Sequence, residues 1–157
     1  MTNVLIFCAK YLFILSPVVV FYFFYKSDAE IRKRILVLGA LSLPLSYILG
    51  VIGRMLYFNP RPFMVSGVEP LISHAADNGF PSDHTLLLAS IASLVFIFNR
   101  KLAAWLWVIT ILVGISRVYA GVHHFIDILG SISIAIASTA LVYVIIRKLW
   151  NKNNQAH

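Results

Sequence analysis

Three short segments hold most of the side chains that could do chemistry in this chain. They are residues 54–62, 81–84 and 116–127, and they contain three arginines together with histidines and aspartates, while the surrounding sequence is strongly apolar. Arginine grips phosphate oxygens as a planar fork and keeps its proton. Imidazole can act as a nucleophile or transfer a proton. These residue types predict a site that holds and attacks a phosphate group.

The first segment places Arg54 and Arg61 around the end of an apolar run. Pro60 and Pro62 should end the helix there and stiffen the chain that leaves it. Two arginines in this position could bind a phosphate. Taken alone, they could equally be interface arginines that contact lipid headgroups.

The second segment reads Pro-Ser-Asp-His and opens another apolar run. Ser82 is a candidate N-cap, and the backbone N–H groups at such a helix start form a ready anion site. His84 lies on the first turn and could contact the same anion. The alternative is a capped helix that carries an interfacial histidine.

The third segment joins two apolar runs. Ser116 and Arg117 end the first run, and His123 and Asp127 lie at the start of the second. A spacing of four puts His123 and Asp127 on one helical face, where a carboxylate fixes the imidazole tautomer and stabilises its cation. A purely structural His–Asp pair remains the alternative, and His124 should point elsewhere.

The composition indicates an integral membrane protein. The 157 residues are 60% hydrophobic and 12% charged, with a mean hydropathy of +0.86. A formal net charge of +7 would suggest nucleic acid in a soluble protein, but here the basic residues cluster at the ends of apolar runs. We therefore expect no nucleic-acid partner. Cys8 is the single cysteine and can form no internal disulfide.

Apolar runs long enough to be helices predict an all-α, polytopic membrane bundle with about five transmembrane helices. A single membrane-embedded domain over residues 1–157 is expected. Ser16-Pro17 should kink the first helix. The predicted helices are 4–25, 35–58, 84–98, 102–119 and 125–146.

The third predicted helix is short. Its 15 residues span about 22 Å, less than a hydrocarbon core of about 30 Å. If its far end reaches the membrane surface, His84 lies below the opposite surface. The site should then be recessed, where a membrane-embedded substrate could present its headgroup.

Lysine and arginine positions predict the topology. Two connections and the C-terminal tail carry nine basic residues on one side, so the positive-inside rule assigns that side to the cytoplasm. The three chemistry-bearing segments would then face outward. The nine are Lys26, Arg32, Lys33, Arg34, Arg100, Lys101, Arg147, Lys148 and Lys152.

Small residues form a stripe on the second predicted helix and a shorter one on the fifth. Such stripes let helices approach closely in lipid, so their expected role is packing. They are Gly39, Ser42, Ser46, Gly50 and Gly53, followed by Ser131, Ala135 and Thr139.

Metal binding is a competing chemistry for the polar residues. His74, Asp77, His84, His123 and Asp127 could in principle hold Zn²⁺. Their spacing matches no common zinc signature, and three nearby arginines would repel a cation. We expect no metal and no other cofactor.

The three segments resemble the motifs of the type 2 phosphatidic acid phosphatase superfamily. Its first motif is matched at Arg54…Arg61-Pro62, with Arg54 in place of lysine. The second is matched at residues 81–84, with Asp83 in place of glycine. The third, Ser-Arg-x5-His-x3-Asp, is matched in full at residues 116–127.

The resemblance implies a role for each matched residue. His123 would be the nucleophile that forms a phosphohistidine, Asp127 would orient it, and His84 would be the general acid. Water would hydrolyse the intermediate without a metal. The implied phosphate-binding residues are Arg54, Arg61, Arg117, Ser82, Asp83 through its backbone N–H, and Ser116.

The form Phe-Pro-Ser-Asp-His-Thr, with His74 and Asp77 upstream and Arg-Val-Tyr-Ala-Gly-Val-His downstream, looks like the bacitracin-resistance type undecaprenyl-diphosphatases. This resemblance implies a polyprenyl diphosphate substrate in the bacterial cell membrane, with the site on the extracytoplasmic side. The alternatives are a phosphatase of phosphatidylglycerol phosphate or phosphatidic acid, a lipid phosphotransferase, and a non-catalytic membrane protein. The oligomeric state stays open.

Overall fold

The computed structural model describes residues 2–155, and helices dominate it. No β-strand occurs in this part of the chain, so the predicted all-α fold class is confirmed. A 3-10 turn at Leu12–Ile14 connects the first two helices. The helices are α1 Thr2–Lys10, α2 Leu15–Lys26, α3 Ala29–Leu56, α4 Pro62–Ser66, α5 Asp83–Phe96, α6 Arg100–Tyr119 and α7 Phe125–Gln155.

Three helices, α3, α6 and α7, are long and apolar enough to cross a membrane. The pair α1 and α2 forms a fourth candidate span, and α5 is apolar but only 14 residues long. The predicted count of about five transmembrane helices is therefore approximate. Five apolar helical segments are present, but α5 is only about 21 Å long. The chain is a multi-pass membrane protein.

The first predicted helix, 4–25, is not continuous. It bends by 44° between α1 and α2, and Tyr11 lies in the break, before the predicted kink at Ser16-Pro17. Pro17 instead lies in the first turn of α2. The N–H groups in the first turn of a helix have no acceptor within that helix. A proline there therefore costs no helical hydrogen bond, and α2 accommodates it without a kink.

The second predicted helix begins earlier than expected. Asp28 caps α3 by accepting a hydrogen bond from the Ile31 N–H at 2.8 Å, and Arg34 pairs with Glu30 at 2.9 Å. This charged connection is therefore helical. The fifth predicted helix continues past residue 146 as α7. In this extension, the Arg34 guanidinium lies over the Trp150 ring, 5.2 Å from the ring centroid.

The small-residue stripe of α3 packs against α5, as predicted. A Cβ atom on Gly50 would lie 2.7 Å from Leu86 Cδ2, and one on Gly39 would lie 3.2 Å from Leu94 Cδ2. The two glycines therefore leave room for the Leu86 and Leu94 side chains and let the α3 backbone approach α5 closely. The α7 stripe, Ser131, Ala135 and Thr139, is buried as well.

Helix α5 lies at the centre of the bundle, packed against α3, α6 and α7. The start of α5, the end of α3, the end of α6 and the start of α7 meet at one end. The contact between Arg34 and Trp150 lies at the opposite end, where α6 also begins with Arg100. The basic connections are thus separated from the three motif segments, and the Lys152 side chain lies outside the described residues.

Candidate active site

His123 lies on the connection between α6 and α7 and is 2% exposed. Its Nδ1 is 2.9 Å from the Gly79 carbonyl oxygen and 3.4 Å from Asp127 Oδ2. Both partners can only accept when the carboxylate is ionised, so Nδ1 carries the proton and Nε2 carries the lone pair. The geometry defines which nitrogen of His123 is available to attack.

The charge state of His123 suits a nucleophile. Burial lowers the pKa of His123, and the charges of Arg117 and Arg61 lower it further, whereas the hydrogen bond to Asp127 opposes them. The net direction is downward. The imidazole is therefore neutral near pH 7 and keeps its lone pair.

Asp127 is completely buried on the first turn of α7. Its Oδ1 accepts a hydrogen bond from Asn59 Nδ2 at 2.7 Å, and its Oδ2 accepts one from the backbone N–H of His124 at 2.8 Å. These bonds hold the carboxylate beside His123. The predicted His–Asp pair is brought together, but the Gly79 carbonyl is nearer to Nδ1 than the carboxylate is.

Arg61 is 4% exposed and lies beside the lone-pair nitrogen of His123. Its Nη1 is 3.3 Å from His123 Nε2 and donates to the Val122 carbonyl at 2.8 Å. Its Nε donates to Asp77 Oδ1 at 2.7 Å. Burial tends to raise the pKa of Asp77, but the hydrogen bond and charge of Arg61 outweigh it and hold the pKa below its ordinary value.

Arg117 is 3% exposed near the end of α6. Its Nη1 donates to the Ala9 carbonyl in α1 at 3.2 Å, and its buried Nε has no hydrogen-bond partner. No carboxylate within residues 2–155 forms an ion pair with it. A buried cation without an ion-pair partner is costly.

The predicted phosphate-binding role of Arg54 requires a guanidinium that is free to face the site. In the structure, this guanidinium is paired with a carboxylate. Its Nη2 donates to Asp83 Oδ1 at 2.7 Å. The Asp83 side chain is 62% exposed, so its charge turns outward and is neutralised at the rim. This pairing explains how an aspartate is tolerated at the start of α5, close to the buried arginines.

Ser82 occupies the N-cap position of α5, as predicted, but its hydroxyl does not cap the helix. The hydroxyl accepts a hydrogen bond from Thr85 Oγ1 at 3.2 Å instead. Its carbonyl accepts one from Ser131 Oγ at 3.0 Å, which fixes α5 to α7. The first backbone N–H groups of α5 therefore stay available for an anion.

His84 packs edge-on against Phe13, with ring centroids 4.7 Å apart. It also lies within electrostatic range of Arg117 and His123, so the structure brings both predicted histidines to one region. Ser116 is buried on α6, one residue before Arg117. The N-terminal part of the chain thus borders the site, which the motifs did not indicate.

Two asparagines that support the site were missed at the sequence level. Asn59 holds Asp127, and Asn78 donates to the carbonyls of Arg54 and Tyr57 at 3.0 and 2.8 Å. Asn78 Oδ1 also accepts from the Asn59 and Phe80 N–H groups. The Asn-Gly dipeptide at residues 78–79 was a turn signal that could have drawn attention to this loop.

The His124 side chain contacts the connection that follows α3. Its Nε2 is 3.1 Å from the Pro60 carbonyl oxygen, so it ties the start of α7 to the connection after α3. This contact lies outside the cluster around His123 and makes His124 a structural residue.

A comparison with protein families finds that residues 35–151 match the PAP2 superfamily. The matched region contains all three motif segments. It covers about three quarters of the chain and includes α3 through most of α7.

Two curated relatives and one solved structure give the finer similarities. The bacitracin transport permease protein BcrC of Bacillus licheniformis is 39% identical over 71% of this chain, and the match spans only 56% of that protein. The undecaprenyl-diphosphatase BcrC of Bacillus subtilis is 32% identical over 85% of this chain and 69% of its own. The crystal structure of Aquifex aeolicus LpxE shares the fold, with a TM-score of 0.69 and 24% identity over 90% of this chain and 82% of that chain.

Proposed function

This chain belongs to the PAP2 superfamily, and from that premise we propose that it is a membrane lipid phosphatase acting on undecaprenyl diphosphate. The products would be undecaprenyl monophosphate and inorganic phosphate. The Phe-Pro-Ser-Asp-His-Thr form of the second motif and the similarity to a protein named undecaprenyl-diphosphatase support this substrate. The apolar helices around the site support a lipid rather than a soluble phosphate ester.

One observation carries the proposal. Arg61 and Arg117 are both buried around His123, Arg61 lies 3.3 Å from its lone-pair nitrogen, and Arg117 has no carboxylate partner in the described residues. Arg61 is already paired with Asp77, whereas Arg117 has no such partner, and a phosphoryl group beside the neutral nucleophile would supply one. Fixed cations of this kind also stabilise the charge of a phosphoryl-transfer transition state.

In the first chemical step, His123 Nε2 attacks the terminal phosphorus. The Nε2–P bond forms while the bond from phosphorus to the bridging oxygen breaks, and the electron pair stays on the leaving lipid monophosphate. His84 would donate a proton to that leaving oxygen where one is needed. Nδ1–H stays hydrogen-bonded to the Gly79 carbonyl and Asp127 as positive charge develops on the ring.

In the second step, water attacks the phosphorus of the phosphohistidine, and the proton that the water gives up returns to His84, which donated one in the first step. The P–N bond breaks, its electron pair returns to Nε2, and inorganic phosphate leaves. Arg61, Arg117 and the free N–H groups at the start of α5 would hold the phosphoryl oxygens through both steps. Splitting the reaction at a covalent intermediate replaces one high barrier by two lower ones.

The site would face the extracytoplasmic side of the bacterial cell membrane. The basic residues that open α6 and flank α3 lie at the end of the bundle opposite the site, and the positive-inside rule assigns that end to the cytoplasm. A short α5 would keep the site below the outer surface. A lipid headgroup could therefore reach it from the outer leaflet.

The substrate is tested by phosphate release from purified protein in detergent. The panel contains undecaprenyl diphosphate, farnesyl diphosphate, phosphatidylglycerol phosphate and phosphatidic acid. We expect the highest kcat/KM on undecaprenyl diphosphate. A higher kcat/KM on either glycerophospholipid would reject the substrate assignment, and labelled phosphate appearing on an acceptor lipid would indicate a phosphotransferase.

Chelation should leave the activity intact, because the proposed nucleophile and the stabilising cations are all side chains of this protein. We expect phosphate release in excess EDTA to match the untreated enzyme. Loss of activity that one divalent metal restores would overturn the metal-independent mechanism.

Asp127→Asn should lower kcat/KM by about 10- to 100-fold, the value of a hydrogen bond to a charged group. The Gly79 carbonyl still accepts from His123 Nδ1 at 2.9 Å, and Asn59 can turn its amide to accept from the new NH₂ group. The tautomer of His123 therefore survives, and only the negative charge is lost. A fall of about 10⁴-fold, as when the carboxylate alone holds the tautomer, would contradict this role of Gly79.

Asp83→Asn should lower KM by about two- to fivefold, the scale of an exposed ion pair. The change releases Arg54 from its 2.7 Å pair so that it can contact substrate. The matched control is Glu30→Gln, which breaks the exposed Arg34–Glu30 pair at the other end of α3 and should not change KM. A raised KM in Asp83→Asn would mean that Asp83 is needed to position Arg54.

A further inference from the structure

We propose that His74 binds the second phosphate of a diphosphate headgroup, the phosphate that leaves when His123 attacks the terminal one. His74 would thereby favour diphosphates over monophosphates. This inference rests on the proposed function and names the feature of the headgroup that the site selects. His74 lies in none of the three motif segments.

The first support is position. The His74 and His123 ring centroids are 6.0 Å apart and the rings are nearly perpendicular. One bridging oxygen separates the two phosphorus atoms of a diphosphate. A side chain at this separation from the nucleophile can therefore reach the second phosphate while His123 contacts the first.

The second support is that the loop carrying His74 is anchored on both sides. Upstream, the Leu71 N–H donates to the Ala120 carbonyl at 3.0 Å, and Ile72 is buried between α1 and the α6–α7 connection. Downstream, Asp77 binds Arg61 and the Gly79 N–H donates to the Asn59 carbonyl at 2.8 Å. Only residues 73–76 lie between the anchors, so His74 is held in place before substrate arrives.

The third support is an unfilled hydrogen-bonding position. The Nδ1 atom of His74 is buried and has no partner among the described residues. A buried polar atom without a partner is rare and calls for an explanation. A phosphate oxygen beside this nitrogen would supply the missing partner.

The charge on His74 fits a hydrogen-bond donor rather than another cation. Burial lowers the pKa of His74, and the charges of Arg61, Arg117 and His123 lower it further, although the adjacent backbone of Ala75 opposes them. A neutral imidazole still donates through one nitrogen. It can therefore contact the leaving phosphate without adding charge to a site that already holds buried arginines.

The test compares two substrates that share one apolar tail, farnesyl diphosphate and farnesyl monophosphate, in the same detergent. We expect His74→Ala to lower kcat/KM about tenfold on the diphosphate and to leave the monophosphate within about twofold. His74→Gln, which keeps a donor, should restore part of the loss. Ser73→Ala changes an exposed neighbour in the same loop and should behave as the parent protein.

Other outcomes of this comparison overturn the assignment. An equal fall on both substrates would mean that His74 supports the common chemistry or the fold, and no fall on either would mean that it does not touch the headgroup. If the parent protein hydrolyses neither the farnesyl substrates nor undecaprenyl diphosphate, the proposed function fails, and binding is measured instead by calorimetry with methylenediphosphonate and inorganic phosphate. A preference for the diphosphonate that persists in His74→Ala would then reject the role of His74.

Discussion

His123→Ala is expected to abolish phosphate release, with kcat lowered by about 10⁴-fold or more, as when a covalent nucleophile is removed. The variant lacks His123 Nε2, the nitrogen beside Arg61 that carries the attacking lone pair in the proposed mechanism. Rapid-quench experiments with labelled diphosphate should trap an acid-labile, base-stable phosphoryl adduct on the parent protein and none on the variant. Release at the parental rate would reject His123 as the nucleophile.

The neighbouring histidine provides the control. His124→Ala removes the contact of its ring with the Pro60 carbonyl but keeps the backbone N–H that donates to Asp127. We expect it to retain most of the activity and to form the same adduct. Thermal unfolding of both variants separates a lost nucleophile from a lost fold, because His123→Ala should remain folded through the other contacts around Gly79.

Much of the site could be predicted because several of its residues lie only a few positions apart in the sequence. His123 and Asp127 are four residues apart at a helix start, which fixes their shared face before any tertiary contact is known. The partners of these residues could not be predicted in the same way. Asn59 is 68 residues from Asp127 in the sequence. The group that binds His123 is the backbone carbonyl of Gly79, and since every residue has such a carbonyl, the sequence does not single this one out.

Arg54 illustrates a second limit. From the sequence, Arg54 was expected to bind a phosphate, and in the structure its guanidinium pairs with Asp83, 29 residues along the chain. The pattern showed that Asp83 was unusual for the motif but not where its side chain turns. That direction depends on how the end of α3 meets the start of α5, which packing alone determines.

Some features of the fold could likewise be predicted from the sequence and others could not. Long apolar runs predicted the helices, since membrane thickness and backbone hydrogen bonding leave few alternatives. Helix ends were less predictable. The break at Tyr11 has no proline or glycine to announce it, and α7 continues beyond its apolar run to a contact between Trp150 and Arg34.

Arg117→Ala should lower kcat/KM by about 10²- to 10³-fold, or about 3–4 kcal/mol of transition-state stabilisation, by analogy with the loss of an oxyanion-hole donor. The same change should not lower thermal stability. Arg117 is buried, donates one hydrogen bond to the Ala9 carbonyl and has no carboxylate partner in the described chain. Its removal therefore relieves a buried charge whose favourable partner, the phosphoryl group, is present only when substrate is bound.

The two readouts together distinguish a phosphate clamp from a structural arginine. A structural arginine predicts that stability and activity fall together, whereas a clamp predicts that activity falls alone and that Arg117→Lys recovers only part of it, because lysine lacks the planar fork. Arg100→Ala at the start of the same helix is the control and should retain the parental kcat/KM. An unchanged kcat/KM in Arg117→Ala would show that this buried cation does not hold the phosphoryl group, and the charge argument for the site would fail with it.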